Sequence, residues 1–142
     1  MNQEIKQFQK QLSNWGKGKL PKVLNKELRT VSLQSLKLVM VKSPVDEGTF
    51  RGNWNVGVNK INVSVDTDYT SNTNKKKIDT VKFNEGSNRI GSLKIGDTIN
   101  ISNSLPYSTR IEYGWSDQAP SGVVRLTLIE LTDWLKKKNG KL

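Results

Sequence analysis

The chain has 142 residues, with 23 lysines and arginines against 13 aspartates and glutamates, and a formal net charge of +10. Its length fits one domain, and its hydrophobic content of 34% predicts a modest core. It has no cysteine and no histidine, which excludes disulfides, thiolate metal sites and catalysis by a Ser-His or Cys-His pair. The charge favours anionic partners, and it is equally typical of a lysine-rich solubilising surface.

The first third of the chain predicts two helices. A narrow apolar stripe at helical spacing opens it, formed by Ile5, Phe8, Leu12 and Trp15. Gly16 and Gly18 interrupt the pattern, so residues 1–18 are expected to form a helical arm. A second, longer helix is predicted from Pro21, a residue suited to a first turn, to about Lys42.

Residues 43–54, which we call the first joint, connect this long helix to a strand. Pro44 ends the helix because proline disfavours helical backbone in the residue before it. Asp46 and Gly48 then predict a turn, since Asp bonds its own downstream backbone and Gly accepts positive φ. A period-two pattern begins at Phe50 and predicts the first strand, with its apolar face made of Phe50, Trp54, Val56 and Val58.

After the first strand the sequence predicts a hairpin and a polar arm. Alternation predicts a second strand, with its apolar face made of Ile61, Val63 and Val65. Residues 66–97 are rich in Asn, Thr, Ser, Lys and Gly and predict a long polar loop or β-arm. Val81 and Phe83 are expected to form a short strand within it, and Ile99 and Ile101 a third strand that returns to the sheet.

Residues 103–115, which we call the second joint, lead from the last strand back to helix. Ser104 is expected to cap a short helix that begins at Pro106 and stops at Gly114. A loop then leads to the last helix, over residues 123–138, whose predicted core stripe consists of Val124, Leu128, Leu131 and Leu135.

These elements predict a single α+β domain over residues 1–142. A long N-terminal helix and a C-terminal helix pack on a small antiparallel sheet, with an extended polar hairpin or loop. Residues 139–142 are expected to form a flexible tail. The start of the chain lacks the layout of a secretory signal and no apolar run spans a bilayer, so we expect a soluble, non-exported protein.

Few side chains are arranged for catalysis. Asp46 and Glu47, with Glu112, are the carboxylates that a metal nuclease would need, but turn formation by Asp46 explains the pair more simply. Arg51, Glu112 and Arg125 lie beside aromatic residues at the joints, and we interpret them as a partly buried ion-pair network that ties helices to sheet. The sequence therefore predicts no enzymatic activity, no cofactor and no metal.

Two surface features have several interpretations. The first is the lysine run, which consists of Lys75, Lys76 and Lys77. Its three interpretations are a solvated loop tip, contact with DNA or RNA phosphates, and contact with an acidic neighbouring subunit. Trp115 follows a glycine in a loop and is the best exposed candidate for stacking on a nucleic-acid base or, equally, for anchoring a protein–protein contact.

The two joints resemble signatures of the neck and tail-completion proteins of tailed phages, a family related to lambda tail-completion protein Z. The first signature is a Pro-Val-Asp-x-Gly-x-Leu-Arg-x-x-Trp turn, matched here by Pro44, Val45, Asp46, Gly48, Phe50, Arg51 and Trp54. The second includes Asn-x-x-Pro-Tyr, Ile-Glu-Tyr-Gly and Ala-Pro-x-Gly segments, matched by Asn103, Pro106, Tyr107, Ile111, Glu112, Tyr113, Gly114, Ala119, Pro120, Gly122, Val124 and Arg125. Phe50 for Leu and Ser108 for Ala are mild departures.

The resemblance implies a virion structural protein without enzymatic activity. It implies a homo-oligomeric ring at the head–tail connector, assembled in the host cytoplasm beside head-closure, tail-terminator or connector rings, with non-specific contact to packaged DNA and none to membrane. The joint residues named above would then be structural. A basic nucleic-acid-binding accessory protein is the alternative, and a metal nuclease is a more remote third.

Overall fold

The computed structural model describes residues 2–71 and 78–140, and it confirms the predicted α+β class. The elements in chain order are α1 (Gln3–Asn14), a π-helical segment (Trp15–Lys19), α2 (Leu20–Lys42), α3 (Thr49–Gly52), β1 (Asn55–Val58), α4 (Thr80–Ile90), β2 (Ile99–Ser102), α5 (Ser108–Glu112) and α6 (Val124–Asn139). The predicted flexible tail begins inside α6 at Asn139, and residues 141–142 lie outside the described ranges.

The first three elements form one continuous helix of 40 residues. The prediction that Gly16 and Gly18 interrupt it is wrong. The amide of Leu20 donates to the carbonyl of Trp15, five residues back, so the helix widens there without ending. Glycine lowers helix propensity, but the two glycines are flanked by helical residues on both sides. Extending an existing helix does not carry the cost of nucleating a new one, so the helix continues through them.

The arm stripe, as we call the apolar side chains of α1 and the π segment, is not covered by the fold. No residue of α1 is buried. The four side chains of the arm stripe are 48% to 63% exposed. They belong to Ile5, Phe8, Leu12 and Trp15. The predicted helical arm is therefore helical as expected, and it projects from the body along the axis of α2.

Among the described residues the sheet consists of β1 and β2, antiparallel, with Val56 opposite Ile101. The first strand was predicted to begin at Phe50, which is wrong because Gly48, at φ +87°, starts the short helix α3 instead. The predicted third strand is confirmed as β2, and it pairs directly with β1.

The predicted second strand, over residues 61–65, is wrong. The chain turns back across the polar face of the sheet, and a Cβ on Gly57 would lie 1.9 Å from the Lys60 carbonyl oxygen. The Asn55 side chain donates to the Ser64 carbonyl at 2.7 Å and so holds this crossing segment in place. The backbone of residues 60–62 thus lies close against Gly57, and the hairpin predicted from the alternating apolar residues does not form.

The predicted polar loop or β-arm over residues 66–97 is wrong in its middle, where α4 forms. Val81 and Phe83, predicted as a short strand, lie in the first turns of this helix. The buried carboxylate of Asp79 caps it by accepting a hydrogen bond from the Lys82 amide at 3.1 Å. A capped helix with few apolar residues resembles a polar loop in composition.

A glycine lets α4 pack closely between α2 and β1. Gly86 and Ile90 are its buried residues. A Cβ on Gly86 would lie 2.6 Å from Cδ2 of Leu36 and 3.0 Å from Cγ2 of Val56. The helix therefore approaches its neighbours to a distance that only glycine permits at this position.

Helices α2 and α6 pack antiparallel, with an ion pair near each end of the contact. Lys42 pairs with Glu130, and Lys138 Nζ lies 2.6 Å from Glu27 Oε2. The ion pair at the end of α2 involves the first half of α6, and the ion pair nearer the start of α2 involves the end of α6. The two helices are therefore antiparallel.

The predicted core stripe of α6 is wrong. Thr127 is the buried residue of this helix, whereas Val124 and Leu128 are exposed and Leu131 and Leu135 are half-buried. Helix α6 contacts the body through the face that carries Thr127, which lies roughly 70° around the axis from the stripe at 100° per residue. We call the four apolar residues the α6 stripe.

The core lies where α2, the first joint, the sheet, α4 and the loop before α6 meet. Its buried residues are Leu36, Val39, Met40, Phe50, Trp54, Val56, Ile90, Leu93, Leu105, Ala119 and Val123. Both joints contribute to this cluster, so the core holds together the segments that the sequence singled out.

Candidate functional site

The two joints lie against each other in the structure. Gln118, just after the second joint, donates from Nε2 to the Val45 carbonyl at 3.1 Å and accepts from the Val45 amide at 2.9 Å. Asn103 donates to the Phe50 carbonyl at 2.8 Å. The Phe50 and Tyr107 rings lie 6.2 Å apart. Side-chain amides of Gln118 and Asn103 thus hydrogen-bond to the backbone of the first joint, which is far from them in sequence.

Within the first joint, Ser43 connects the end of α2 to α3 and β1. Its Oγ donates to the Val39 carbonyl at 2.5 Å and accepts from Trp54 Nε1 at 2.7 Å. Its carbonyl accepts from Arg51 Nη2 at 3.0 Å. The indole and the guanidinium, both predicted as joint residues, therefore fix the direction in which the chain leaves the helix.

Arg51 is a buried charge, only 1% exposed. Desolvation lowers the pKa of its guanidinium, and the negative charge of Asp79 raises it by a smaller amount. No ion pair joins Arg51 to Glu112 within the residues that the structure describes. Glu112 and Arg125 form an ion pair as predicted, but this pair joins α5 to α6 and does not tie a helix to the sheet, and Arg51 donates to main-chain carbonyls at the end of α2 instead.

Residues 66–71 pack onto the first joint. Asn53 accepts from the Asp66 amide at 2.8 Å and donates to the Asp66 carbonyl at 2.9 Å. Thr49 donates from its hydroxyl to the Tyr69 carbonyl at 2.7 Å. The start of the predicted polar arm, residues 66–71, is thus bound to the body.

Tyr69 and Asp79 form a polar contact that the sequence analysis missed. Tyr69 Oη donates to Asp79 Oδ2 at 2.5 Å, and Lys82 Nζ lies 4.6 Å from the centre of the Tyr69 ring. Burial, and then the hydrogen bond to Asp79, raise the pKa of the Tyr69 phenol well above its usual range. The only signal in the sequence is an Asp placed to cap a helix.

Glu112 is the centre of the second joint, where it caps α6. Its carboxylate accepts from the amides of Val123 and Val124 at 2.8 Å each and from the Arg125 amide at 3.1 Å. Arg125 Nε lies 3.2 Å from Oε1, and Arg125 Nη2 also donates to the Glu112 carbonyl. Glu112 thus satisfies the free amides of a helix N-terminus and balances its positive end.

The pKa of the Glu112 carboxyl reflects two opposing influences. Burial raises it, and the hydrogen bonds from Val124, Val123 and Arg125 together lower it. The hydrogen bonds prevail, so the pKa lies below the usual range for a glutamate and the carboxylate stays ionised at neutral pH.

Gly122 allows the loop before α6 to meet Glu112. It adopts φ +85°, and a Cβ there would lie 2.5 Å from the Glu112 carbonyl oxygen. Gly114 approaches Pro120 in the same way, since a Cβ would lie 2.5 Å from the Pro120 carbonyl oxygen. The spacing of Gly114, Pro120 and Gly122 therefore follows from the close contact between α5 and the loop.

The remaining predicted contact residues lie at the surface or outside the described ranges. Trp115 is 75% exposed, with the Arg110 guanidinium 5.2 Å from its ring centre, and Pro106 and Tyr107 are also exposed. The lysine run lies outside the described residues and comprises Lys75, Lys76 and Lys77.

The carboxylates considered for a metal nuclease are not brought together. Asp46 and Glu47 are exposed and line a cleft of about 280 Å³ with Phe50 and Tyr107 between the joints. Glu112 faces α6 instead. Within residues 2–71 and 78–140, no three acidic side chains form a group able to hold a metal ion.

In comparisons with known proteins, no family model, no curated protein and no solved structure matches the chain. None of the helices in the described ranges combines the length and apolar character needed to cross a bilayer.

Proposed function

We propose that the chain is a structural protein of a tailed-phage virion that forms part of the neck or tail-completion ring at the head–tail connector. The observation that carries the proposal is the meeting of the two joints. The segments that resemble the family's signatures pack together through Gln118 to Val45 and Asn103 to Phe50. A signature that describes a fold is expected to show such mutual packing.

The roles of the charged signature residues support a structural protein. Arg51 donates to main-chain carbonyls at the end of α2, and Glu112 accepts from the amides at the start of α6. Arg125 binds Glu112. These contacts hold elements together, so the proposal assigns no reaction to them.

The proposed partners are other copies of the chain in a ring and the adjoining head-closure, tail-terminator or connector rings. The net charge of +10 suits a position near packaged DNA or against acidic neighbouring subunits. The location proposed for the mature protein is the virion neck or tail, after assembly in the host cytoplasm.

Purified particles of the phage that encodes the chain would test this proposal. We expect mass spectrometry to detect the chain in gradient-purified virions, and cryo-electron microscopy to show it as a ring between portal and tail tube. Absence of the chain from purified, infectious particles would overturn the proposal.

A basic nucleic-acid-binding accessory protein is the second candidate. Exposed lysines cluster where α1 passes into α2, and they are Lys17, Lys19, Lys22 and Lys26. Such a protein would be absent from virions and would bind free DNA with an affinity that falls steeply with salt. Virion mass spectrometry and a DNA-binding titration over a salt series therefore separate the two candidates.

A further inference from the structure

Two apolar stripes on different helices keep exposed residues in the single chain: the arm stripe along its length, and the α6 stripe at Val124 and Leu128, whereas Leu131 and Leu135 are half-buried. The arm stripe follows a 3-4-3 spacing, and the α6 stripe follows a 4-3-4 spacing. Both are the spacing of an a/d seam, by which one helix packs into another. Phe8 is 63% exposed and Leu128 is 56% exposed, which is far from the burial that large apolar side chains reach in a core.

The charges around the stripes favour a neutral helix as the occupant. At about 100° per residue, Lys6 and Lys10 lie on the side of α1 opposite the stripe. The positions that flank it are Glu4, Gln9 and Gln11, and the α6 stripe is flanked by Thr127, Thr132 and Lys138, whose charge is paired with Glu27. Two seams with mostly uncharged flanks meet without like-charge repulsion. An anionic surface would instead need lysines beside the stripe.

The arm cannot reach the α6 stripe of its own chain. Lys138, at the end of α6, is held beside Glu27 of α2. The arm stripe ends at Trp15, about 18 Å further along the same helix at 1.5 Å per residue. It therefore extends past the end of α6, in the direction away from Leu128.

We propose that the arm stripe of one copy packs on the α6 stripe of a second copy. Phe8 and Leu12 would pack against Leu128 and its neighbours on α6, as the knobs and holes of a two-helix seam. This inference deepens the proposed function and rests on it for the ring, because it identifies the contact between adjacent subunits.

The contact joins two different surfaces, so it repeats from copy to copy. A contact of this kind generates a closed ring when the rotation between copies closes and an open filament when it does not. The same contact between two identical arms would stop at a dimer. Whether the arm stripe packs on the α6 stripe or on another arm stripe therefore decides whether a ring or filament forms, or only a dimer.

Two variants, each with one surface disabled, test the pairing. Phe8→Asp places a charge in the arm stripe, and Leu128→Asp places one in the α6 stripe. Asn14→Asp adds the same charge to α1 away from the stripe and serves as the control. All three positions are exposed, so far-UV circular dichroism and urea midpoints are expected to stay at the wild-type values.

Sedimentation velocity over a concentration series gives the readout. We expect the wild-type chain and Asn14→Asp to form larger species as concentration rises, and Phe8→Asp and Leu128→Asp each to remain monomeric. An equimolar mixture of the two variants is expected to form a one-to-one heterodimer and nothing larger, since one intact arm meets one intact α6 stripe.

Three results would overturn the inference. Leu128→Asp alone forming a dimer would mean that arms pair with arms. A mixture that stays monomeric while the wild type associates would place the contact elsewhere, and a wild type that is monomeric at its highest soluble concentration would remove the contact. Absence of the chain from virions, by contrast, would overturn the proposed function and leave a measured heterodimer standing.

Discussion

Glu112 connects α5 to α6 through several contacts made by one side chain. A carboxylate at a helix N-terminus satisfies amides that have no partner within the helix and interacts favourably with the positive end of the helix dipole. Here it accepts from three successive amides and also pairs with Arg125. The position therefore requires an ionised acceptor of this length.

We expect Glu112→Gln to lower the free energy of unfolding by about 1–2 kcal/mol at pH 7, because the charge-assisted hydrogen bonds of the cap become neutral ones. Urea unfolding measures the change. Glu85→Gln is the matched control, since Glu85 makes an exposed pair with Lys82 at 3.6 Å and is expected to change stability by less than about 0.5 kcal/mol. Equal effects of the two substitutions would contradict the capping role.

The effect of Glu112→Gln depends on pH in a defined direction. The pKa of Glu112 is lowered in the folded chain. The stabilisation it gives is present above the unfolded pKa of about 4.3 and is lost as pH falls through the folded pKa. We therefore expect the difference in unfolding free energy between wild type and variant to shrink below about pH 4. A difference that is undiminished at low pH would contradict this origin.

Turn chemistry made several single residues predictable from the sequence. Pro44, Gly48 and Gly114 lie at the helix ends and turns where local backbone rules place them. The hydrogen bond between Tyr69 and Asp79 was not predictable, because no local pattern brings two side chains ten residues apart together across a polar segment. Local rules identify a cap or a turn, whereas a tertiary hydrogen bond needs the fold.

At the scale of elements, α4 is held by close packing that its composition conceals. Its buried side is a glycine and an isoleucine, so it buries little side-chain area of its own. Leu36 of α2 and Val56 of β1 fill the space that a larger residue would occupy. The helix therefore depends on shape complementarity more than on its own apolar surface.

Gly86→Val is expected to lower the free energy of unfolding by about 1–3 kcal/mol or more, because its side chain would overlap Leu36 and Val56. Asn88→Val adds the same residue to an exposed position of the same helix and is the matched control. Thermal and urea unfolding compare the two variants. A loss no larger than that of the control would show that α4 does not pack as described.

Element types were predicted best for the two long helices and for the strand that pairs with β1. The long helix of α2, the strand β2 and the helix α6 follow the sequence pattern. The strand over residues 61–65 did not form, because the chain crosses Gly57 and alternation alone does not supply a pairing partner. The α6 stripe was predicted as core, but periodicity identifies an apolar face and not the molecule that covers it.

At the scale of the whole molecule, the positive charge is spread over several segments, of which the lysine run is one. Changing Lys75, Lys76 and Lys77 to alanine lowers the formal net charge from +10 to +7, since three positive charges are removed. The effect on DNA binding depends on whether these lysines contact phosphates directly.

If they contact DNA, the triple variant is expected to reduce the slope of log K against log salt concentration by as much as about 2.7, at about 0.9 per phosphate contact. Fluorescence anisotropy with a short duplex over a salt series measures the slope. A variant with Lys6, Lys10 and Lys37 changed to alanine has the same net charge and is the control, since these exposed lysines lie outside both the lysine run and the cluster where α1 passes into α2. Equal slopes for the two variants would assign DNA binding to overall charge.

The sequence predicted the class of the whole molecule, α+β with a long helix and a small sheet, because helix and strand patterns are local. It predicted the two joints as structural, and the packing between them explains their spacing. The uncovered stripes became visible only in the fold, since exposure is a property of the assembled chain.

The π-helical segment also preserves the direction in which α1 faces. A π turn holds one residue more than an α turn, so deleting Lys17 would restore α geometry between Trp15 and Leu20. Because the wide turn absorbs the extra residue, α1 and α2 keep nearly the azimuth they would have in an uninterrupted α-helix, and the deletion would leave the arm facing the same way. Deleting a residue of α1 from regular α geometry would instead rotate everything before it by about 100° around the axis. The register between subunits would then depend on the phase of a helix as much as on its composition.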